Sequence, residues 1–329
     1  MVDQFKSPDQ MDLFSTVTVR NKFSDFSGLI LMCKDKPVFD IMRERVYDKD
    51  LLPGMMRKLP YKEQFLNWME NRYSSKSNTF ARQLRAYVFG QGNRGKINLQ
   101  THALSLSDCY WLKRRDDNTT NFSQISPYFS SYWSGEGPYR GQAIPTLYVN
   151  GFLPKYWEDA HTLVKTAPNH EAYCAELAAQ LGIPVARVTN FPDGIAVTNF
   201  TNENVMFEPA DASGLINGDD FDNETILDLF GQFGYDMIFF DALVGNGDRH
   251  AGNFGYLRDS NTGSYIGPAP LFDFDHAFES NNSKDILIQG VLDYRLLFIN
   301  RHMELYQKCL QLNLQPYLLE RLKSLMLGI

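Results

Sequence analysis

The run Gly245-Asn246-Gly247-Asp248-Arg249-His250-Ala251-Gly252-Asn253, followed twenty residues later by Asp273-Phe274-Asp275, holds the side chains of this sequence best suited to chemistry. Phosphoryl transfer needs a carboxylate that orients the attacking hydroxyl or takes its proton, and hard oxygen ligands that hold Mg²⁺ or Mn²⁺ against the phosphates. Asp248 can supply the first, and Asn253 with Asp273 the second. Gly-Asn-Gly-Asp is also ordinary turn material. What raises it above a turn is an upstream half laid out to hold a nucleotide. There a strand ends Thr162-Leu163-Val164-Lys165, a glycine turn precedes it, and a helix with glutamates follows, so Lys165 would neutralise phosphate oxygens while a glutamate holds its ammonium. With Glu171 at the origin of a helical wheel turning about 100° per residue, the apolar residues Tyr173, Cys174, Leu177, Ala178 and Leu181 centre near roughly 270°. Glu171 borders that stripe and Glu176 lies further round, which favours Glu171 as partner; the alternative is that both are solvated helix charges.

The spacing from Asp248 to Asn253 is that of protein kinases, in which a strand-borne aspartate before Phe completes the site. Here Asp-Arg-His replaces His-Arg-Asp, which keeps the aspartate in register and disfavours a tyrosine or serine kinase domain of the usual type. A second glycine motif, Gly90-Gln91-Gly92-Asn93-Arg94-Gly95, follows a helix-like segment where dinucleotide binding needs a strand, and reads as a plain loop.

The elements that must position these residues follow from periodicity. Leu29 to Cys33 and Val38 to Met42 read as a hairpin, and Lys62 to Tyr73 and Phe80 to Val88 as amphipathic helices. Ser, Gly, Pro and Tyr dominate Asn121 to Pro145, the place for a boundary between a unit over 1–135 and a nucleotide-binding sheet and helix over 146–205. Strands are predicted at Thr162 to Lys165, Val185 to Val188 and Ile195 to Phe200, with a helix from Pro168 and Asn169 to Gly182. The unit over 206–329 is mainly helical: Ile226 to Val244 with an interruption at Gly231 or Gly234, short strands at Asn253 to Leu257 and Ala269 to Phe274, and a tail from Ile286 to Leu327 with apolar residues at helical spacing. His250 is expected to brace the 245–253 loop, Asp241 to cap backbone amides there, and the four tryptophans to sit in cores.

Composition excludes several classes. With 43% hydrophobic, 14% aromatic and 22% charged residues over 329 positions, the chain can bury a core and is not predominantly disordered. A net charge of −7 offers no global positive field for a phosphate backbone, so no direct nucleic-acid partner is expected. Four separated cysteines read as reduced thiols of a cytoplasmic protein, the six histidines show no metal-ligand spacing, and neither a signal core nor a membrane span is expected.

Val164-Lys165, the helix from Glu171 to Gly182 running into Ile183-Pro184-Val185, the block from Asp241 to Asn253, and Pro270-Leu271-Phe272-Asp273-Phe274-Asp275-His276-Ala277 together resemble the HipA-like serine/threonine kinase family. Leu104 to Trp111 resembles a segment near the N-terminus of such proteins from Gram-positive bacteria. The likeness covers most of the chain, is specific over 241–277 and is loose before residue 100. It implies an α+β, two-lobed protein-kinase-like fold with a small N-terminal α/β region and a mainly helical C-terminal lobe. It also implies ATP with Mg²⁺ or Mn²⁺, protein substrates modified on Ser or Thr, and an antitoxin-like partner protein in a toxin–antitoxin setting. Carried over residue by residue, Asp248 is the base, Asn253 and Asp273 are metal ligands, Lys165 is a phosphate ligand, and Thr198, Asn199 and Phe200 form an adenine-facing hinge. The matching phosphate loop, Leu147 to Leu153, has no serine or threonine for self-inhibition and little glycine, leaving Gly151 and Lys155 to meet the phosphates. Two other readings compete: a phosphoinositide-like or small-molecule kinase, since phosphoinositide kinases also carry Asp-Arg-His and an Asp-Phe pair, and a nucleotide-binding regulator without turnover. No basic, apolar docking segment supports the first, and a full set of catalytic side chains argues against the second.

Overall fold

Antiparallel pairing organises the strands of the chain, whose computed structural model describes residues 26–71, 102–134, 155–166, 170–216, 221–278 and 284–326. The first sheet is ordered β3-β2-β1-β4, from β1 (Leu29–Cys33), β2 (Lys36–Asp40), β3 (Arg45–Val46) and β4 (Tyr110–Arg114). Helix α1 (Tyr61–Asn71) lays Phe65, Trp68 and Met69 on it at the three- and four-residue spacing read above. The short helices α2 (Phe122–Ile125) and α3 (Ser130–Trp133) add Phe122, Ile125 and Tyr132 to the same core.

The second sheet is ordered β5-β6-β8-β7, from β5 (Lys155–Trp157), β6 (Thr162–Lys165), β7 (Val188–Phe191) and β8 (Gly194–Thr198). Helix α4 (Glu171–Leu181) packs beside it and stops at Gly182, which is left-handed with φ 75. At the β7–β8 turn, Gly194 lies against the main chain of Lys165; a Cβ there would stand 2.1 Å from the Lys165 carbonyl oxygen. That close approach fixes the end of β6, and with it the root of the Lys165 side chain.

A third sheet, β11-β10-β9, comprises β9 (Val205–Pro209), β10 (Gly255–Asp259) and β11 (Tyr265–Pro268). It is tied to residues 50–54, which follow β3, by a buried charge network. Arg258 donates to Glu208 Oε1 at 2.7 Å and to the carbonyls of Asp50, Leu52 and Gly263 at 2.8, 3.2 and 3.0 Å. Glu208 accepts in turn from the Gly54 amide at 2.7 Å and the Tyr265 hydroxyl at 2.9 Å.

The C-terminal core surrounds α6 (Gln232–Val244), which is buried from Gly234 to its end. Helices α5 (Asn223–Phe230), α7 (Lys284–Tyr294), α8 (Ile299–Gln311) and α9 (Pro316–Met326) contribute to the same core. The break between α5 and α6 falls at Gly231. Among the described residues, no helix is long and apolar enough to cross a membrane, and all four cysteines are free and buried.

β1, β6, α1 and α4 lie where periodicity puts them. Val38 to Met42 slides back to start at Lys36, and Val185 to Val188 slides forward, with only Val185 retaining a parallel bridge to Leu271. Ala269 to Phe274 is not a strand: apart from that bridge the segment is irregular, and the second strand of the hairpin is β11 instead. Gly90 to Gly95, Phe80 to Val88, Leu147 to Leu153 with Gly151, and Pro168 with Asn169 lie outside the described residues.

Candidate active site

A cavity between the second and third sheets gathers most of the side chains singled out by sequence. Lys155, Lys165, Glu171, Asn253 and Asp273 line one part of it; Thr198, Asn199 and Phe200 line another, beside Leu163, Val197, Phe207 and Phe272. One part is thus charged and the other apolar.

Lys165 sits at the centre of the charged part, 3% exposed, at the end of β6. Its Nζ donates to Glu171, to Asp273 Oδ1 at 2.6 Å and to Asp275 Oδ1 at 3.3 Å. Glu171 opens α4 and is buried, whereas Glu176 is exposed and accepts from Gln180. Lys155 Nζ stands 3.8 Å from Asp273 Oδ1 and 3.9 Å from Asp275 Oδ2. Burial disfavours the charge on Lys165, but Asp273, Glu171 and Asp275 outweigh it and raise its pKa. At Asp273 burial is likewise overcome, by Lys165 and Lys155, which hold the carboxyl well below the usual carboxylate range. Asp275 goes the other way. Burial, opposed by Lys165 but reinforced by Asp273 and Glu171, pushes it up to about 7. Burial also lowers Lys155.

We expect Lys165→Ala and, to a smaller degree, Glu171→Gln to lower phosphate transfer, while Glu176→Gln leaves it unchanged. Steady-state rates of the three variants check the order, and a damaging Glu176→Gln beside a silent Glu171→Gln would reverse the assignment.

Glu171, Asp273 and Asp275 place one carboxylate oxygen each within 4.8 Å of one another, and the Lys165 ammonium sits among them. Asp273 has left-handed backbone, φ 59, and follows the bridge at Leu271 in irregular chain. The expected strand placement is therefore corrected. The carboxylate reaches Lys165 from a kinked turn, in which two aspartates two residues apart both face the lysines.

The 245–253 loop leaves α6 at Gly245, left-handed with φ 71, where a Cβ would meet the Tyr317 hydroxyl at 2.3 Å. Its hub is Arg249, a residue the motif reading passed over. Arg249 grips Asp241 through Nε and Nη2, both at 2.9 Å, and donates from Nη1 to the carbonyls of Phe272 at 2.8 Å and Asn253 at 3.2 Å. Asp241 thus does not cap backbone amides: its carboxylate is taken by Arg249 and by the Asn246 side chain at 2.9 Å. His250 does brace the loop, its Nδ1 accepting from the Gly252 amide at 3.1 Å. Asp248 points elsewhere. It is not among the cavity-lining residues, is 56% exposed, and faces His276 across 3.5 Å.

Sequence reasoning missed the far wall. Ser105, Ser107, Asp108 and Trp68 from the N-terminal region, and Trp157 from β5, border the cavity, so two of the four tryptophans are wall as well as core. The side chain of Asn199 belongs to that seam, donating to the carbonyls of Leu106 at 3.1 Å and Ala160 at 3.0 Å.

No protein-family model matches the chain. A 60-residue stretch, 18% of this chain, is 43% identical to the serine/threonine-protein kinase CtkA of Helicobacter pylori and spans 18% of that protein's length. The crystal structure of H. pylori proinflammatory kinase CtkA aligns over 52% of this chain and 87% of its own, with 19% identity and a TM-score of 0.34. The HipA of Shewanella oneidensis, solved in a toxin–antitoxin complex with HipB and operator DNA, aligns over 91% of this chain and 96% of its own at 15% identity, with a TM-score of 0.50. In its mixed α/β fold, and in the stretch it shares with a curated kinase, the chain resembles the HipA-like serine/threonine kinases.

Proposed function

We propose that this chain is an ATP-dependent protein serine/threonine kinase of HipA-like type that transfers the γ-phosphoryl group to a protein hydroxyl with Mg²⁺ or Mn²⁺. The observation that carries the reading is Lys165, buried and bound to both Glu171 and Asp273 in a cavity shared with Asn253. A lysine held between a helix carboxylate and a turn aspartate is poised for triphosphate oxygens, and Lys155 adds a second cation. Leu163, Val197, Phe200 and Phe272 supply apolar surface for an aromatic base next to the Thr198–Phe200 segment. The Asp273 carboxylate and the Asn253 amide oxygen are hard donors that suit Mg²⁺ or Mn²⁺ rather than a softer metal. When bound, that ion neutralises charge on the phosphates being transferred. Asp248, exposed and five residues before the cavity-lining Asn253, is assigned to the incoming hydroxyl, and Gly151 to the phosphates.

The same reading takes 1–135, 146–205 and 206–329 as units forming two lobes, places the protein in the cytoplasm, and gives it an antitoxin-like protein partner without direct nucleic-acid contact. Incubating cell extract with radiolabelled ATP and the protein, then identifying the labelled species, tests the substrate class; a label on lipid or a small molecule would replace it. Calorimetry tests the ion. ATP is expected to bind with Mg²⁺ present and much more weakly with a chelator, and equal affinity in both would remove Asn253 and Asp273 from metal binding.

A further inference from the structure

Resting on the kinase reading, we propose that His276 is a positioning residue for Asp248, one that holds the carboxylate in the orientation in which it receives the substrate hydroxyl. Neither the aspartate spacing nor the resemblance gives His276 a role. It lies 3.5 Å from Asp248 Oδ2 through Nε2, and the two side chains are 47% and 56% exposed, in contrast to the buried Lys165, Glu171 and Arg249. The pair is therefore open to solvent, on the same loop and turn that carry Asn253 and Asp273 to the cavity, and a hydroxyl carried on a large molecule can reach it.

Backbone contacts set this approach. The loop from Gly245 to Asn253 and the turn from Phe272 to Phe278 are stitched together on both sides of the pair. On one side the Phe278 amide donates to the Val244 carbonyl at 2.8 Å. On the other, Arg249 Nη1 joins the Phe272 carbonyl at 2.8 Å to the Asn253 carbonyl at 3.2 Å. Within the turn the Ala277 amide donates to Phe274 at 3.0 Å, and the left-handed residues Asp273 and Phe278, φ 59 and 66, bend its two ends. Left-handed conformations of non-glycine residues persist where the surroundings impose them. Here the result is a turn that presents Asp273 to Lys165 and His276 to Asp248.

An exposed aspartate samples several rotamers, and an oxygen that must meet a hydroxyl within hydrogen-bond distance gains from losing that freedom beforehand. With Nε2 facing Oδ2, Oδ1 is left for the substrate. In the transfer, the substrate oxygen bonds to the γ-phosphorus, the bond from that phosphorus to the β–γ bridging oxygen breaks, and its electron pair leaves with ADP. The hydroxyl proton passes to Asp248 Oδ1. His276 gains and loses no proton.

The test uses the full chain and compares wild type with His276→Ala, His276→Gln, Asp248→Asn and the His276→Ala/Asp248→Asn double variant in phosphate transfer, ATP affinity and thermal midpoint. His276→Ala is expected to lower kcat by about ten- to a hundred-fold, with ATP affinity and midpoint unchanged. His276→Gln, which keeps a donor near the Nε2 position, is expected to restore most of the rate. The double variant should be no slower than Asp248→Asn alone, because a residue acting through Asp248 has nothing left to position. Wild-type transfer in His276→Ala overturns the proposal, as does an equal loss in the Asp248→Asn background or a drop in midpoint that accounts for the slower rate. A wild-type protein that transfers no phosphate at all overturns the kinase reading, and this proposal with it.

Discussion

Asp248→Asn is expected to fold and bind ATP as the wild type does while losing phosphate transfer by about a hundred- to ten-thousand-fold, the usual contribution of a positioned general base. The substitution keeps size and hydrogen bonding and removes the charge that takes the proton late in the transfer. Binding survives because the groups proposed to meet the nucleotide, Lys155, Lys165, Asn253 and Asp273, line the cavity and Asp248 does not. Stability survives because the side chain is more than half exposed, and the loop is held by Arg249 and Gly245 instead. A turn-forming role would predict a lowered thermal midpoint or no change of any kind. The measurement pairs a transfer assay with calorimetry on one protein, and a well-folded, ATP-binding variant that transfers phosphate at the wild-type rate removes Asp248 from the mechanism.

The largest loss of stability is expected at Arg258. Its guanidinium and the Glu208 carboxylate are both buried, and the pair joins β9 and β10 to residues 50–54. Arg258→Met preserves much of the volume but leaves Glu208 charged in a site without its cation, at a cost of about 3–5 kcal/mol. Adding Glu208→Leu removes the stranded charge and should restore part of this. Recovery stays incomplete, because the Gly54 amide and the Tyr265 hydroxyl then lose their acceptor. Urea unfolding of the two variants reads both effects; an unchanged midpoint for Arg258→Met would mean that the network contributes no net stability.

Legibility in the sequence tracked the range of the interactions. Lys165 and Glu171 lie six residues apart on a strand and the helix after it, and period-two and period-3.6 patterns locate both. Asp273 was legible as a candidate residue, but the local structure that carries it was not. Its segment has the apolar residues of a strand, yet the left-handed Asp273 and the pull of Arg249 on the Phe272 carbonyl bend it into a turn. Arg249 stood in the motif unassigned because its partners, Asp241 and Phe272, come from a helix eight residues before it and a turn twenty-three residues after it. Least legible was the wall made by Ser105, Ser107 and Asp108. The resemblance marked Leu104 to Trp111, but only the packing of Phe207 and Asn199 against Ser107 and Leu106 brings that stretch to the cavity.

That wall also bears on how the molecule comes together. A ligand filling the cavity touches groups from the N-terminal region, the second sheet and the 245–273 region at once, so its binding free energy is shared with the association of all three. At a hundred times its dissociation constant, a ligand specific for the assembled form adds about 2.7 kcal/mol to it. A nucleotide bound there as proposed would then serve as a cohesive element as well as a reactant, and its depletion would loosen the seam along Leu106 and Asn199. Cutting back the N-terminal region would, by the same linkage, weaken the proposed nucleotide binding without altering Lys155, Lys165, Asn253 or Asp273.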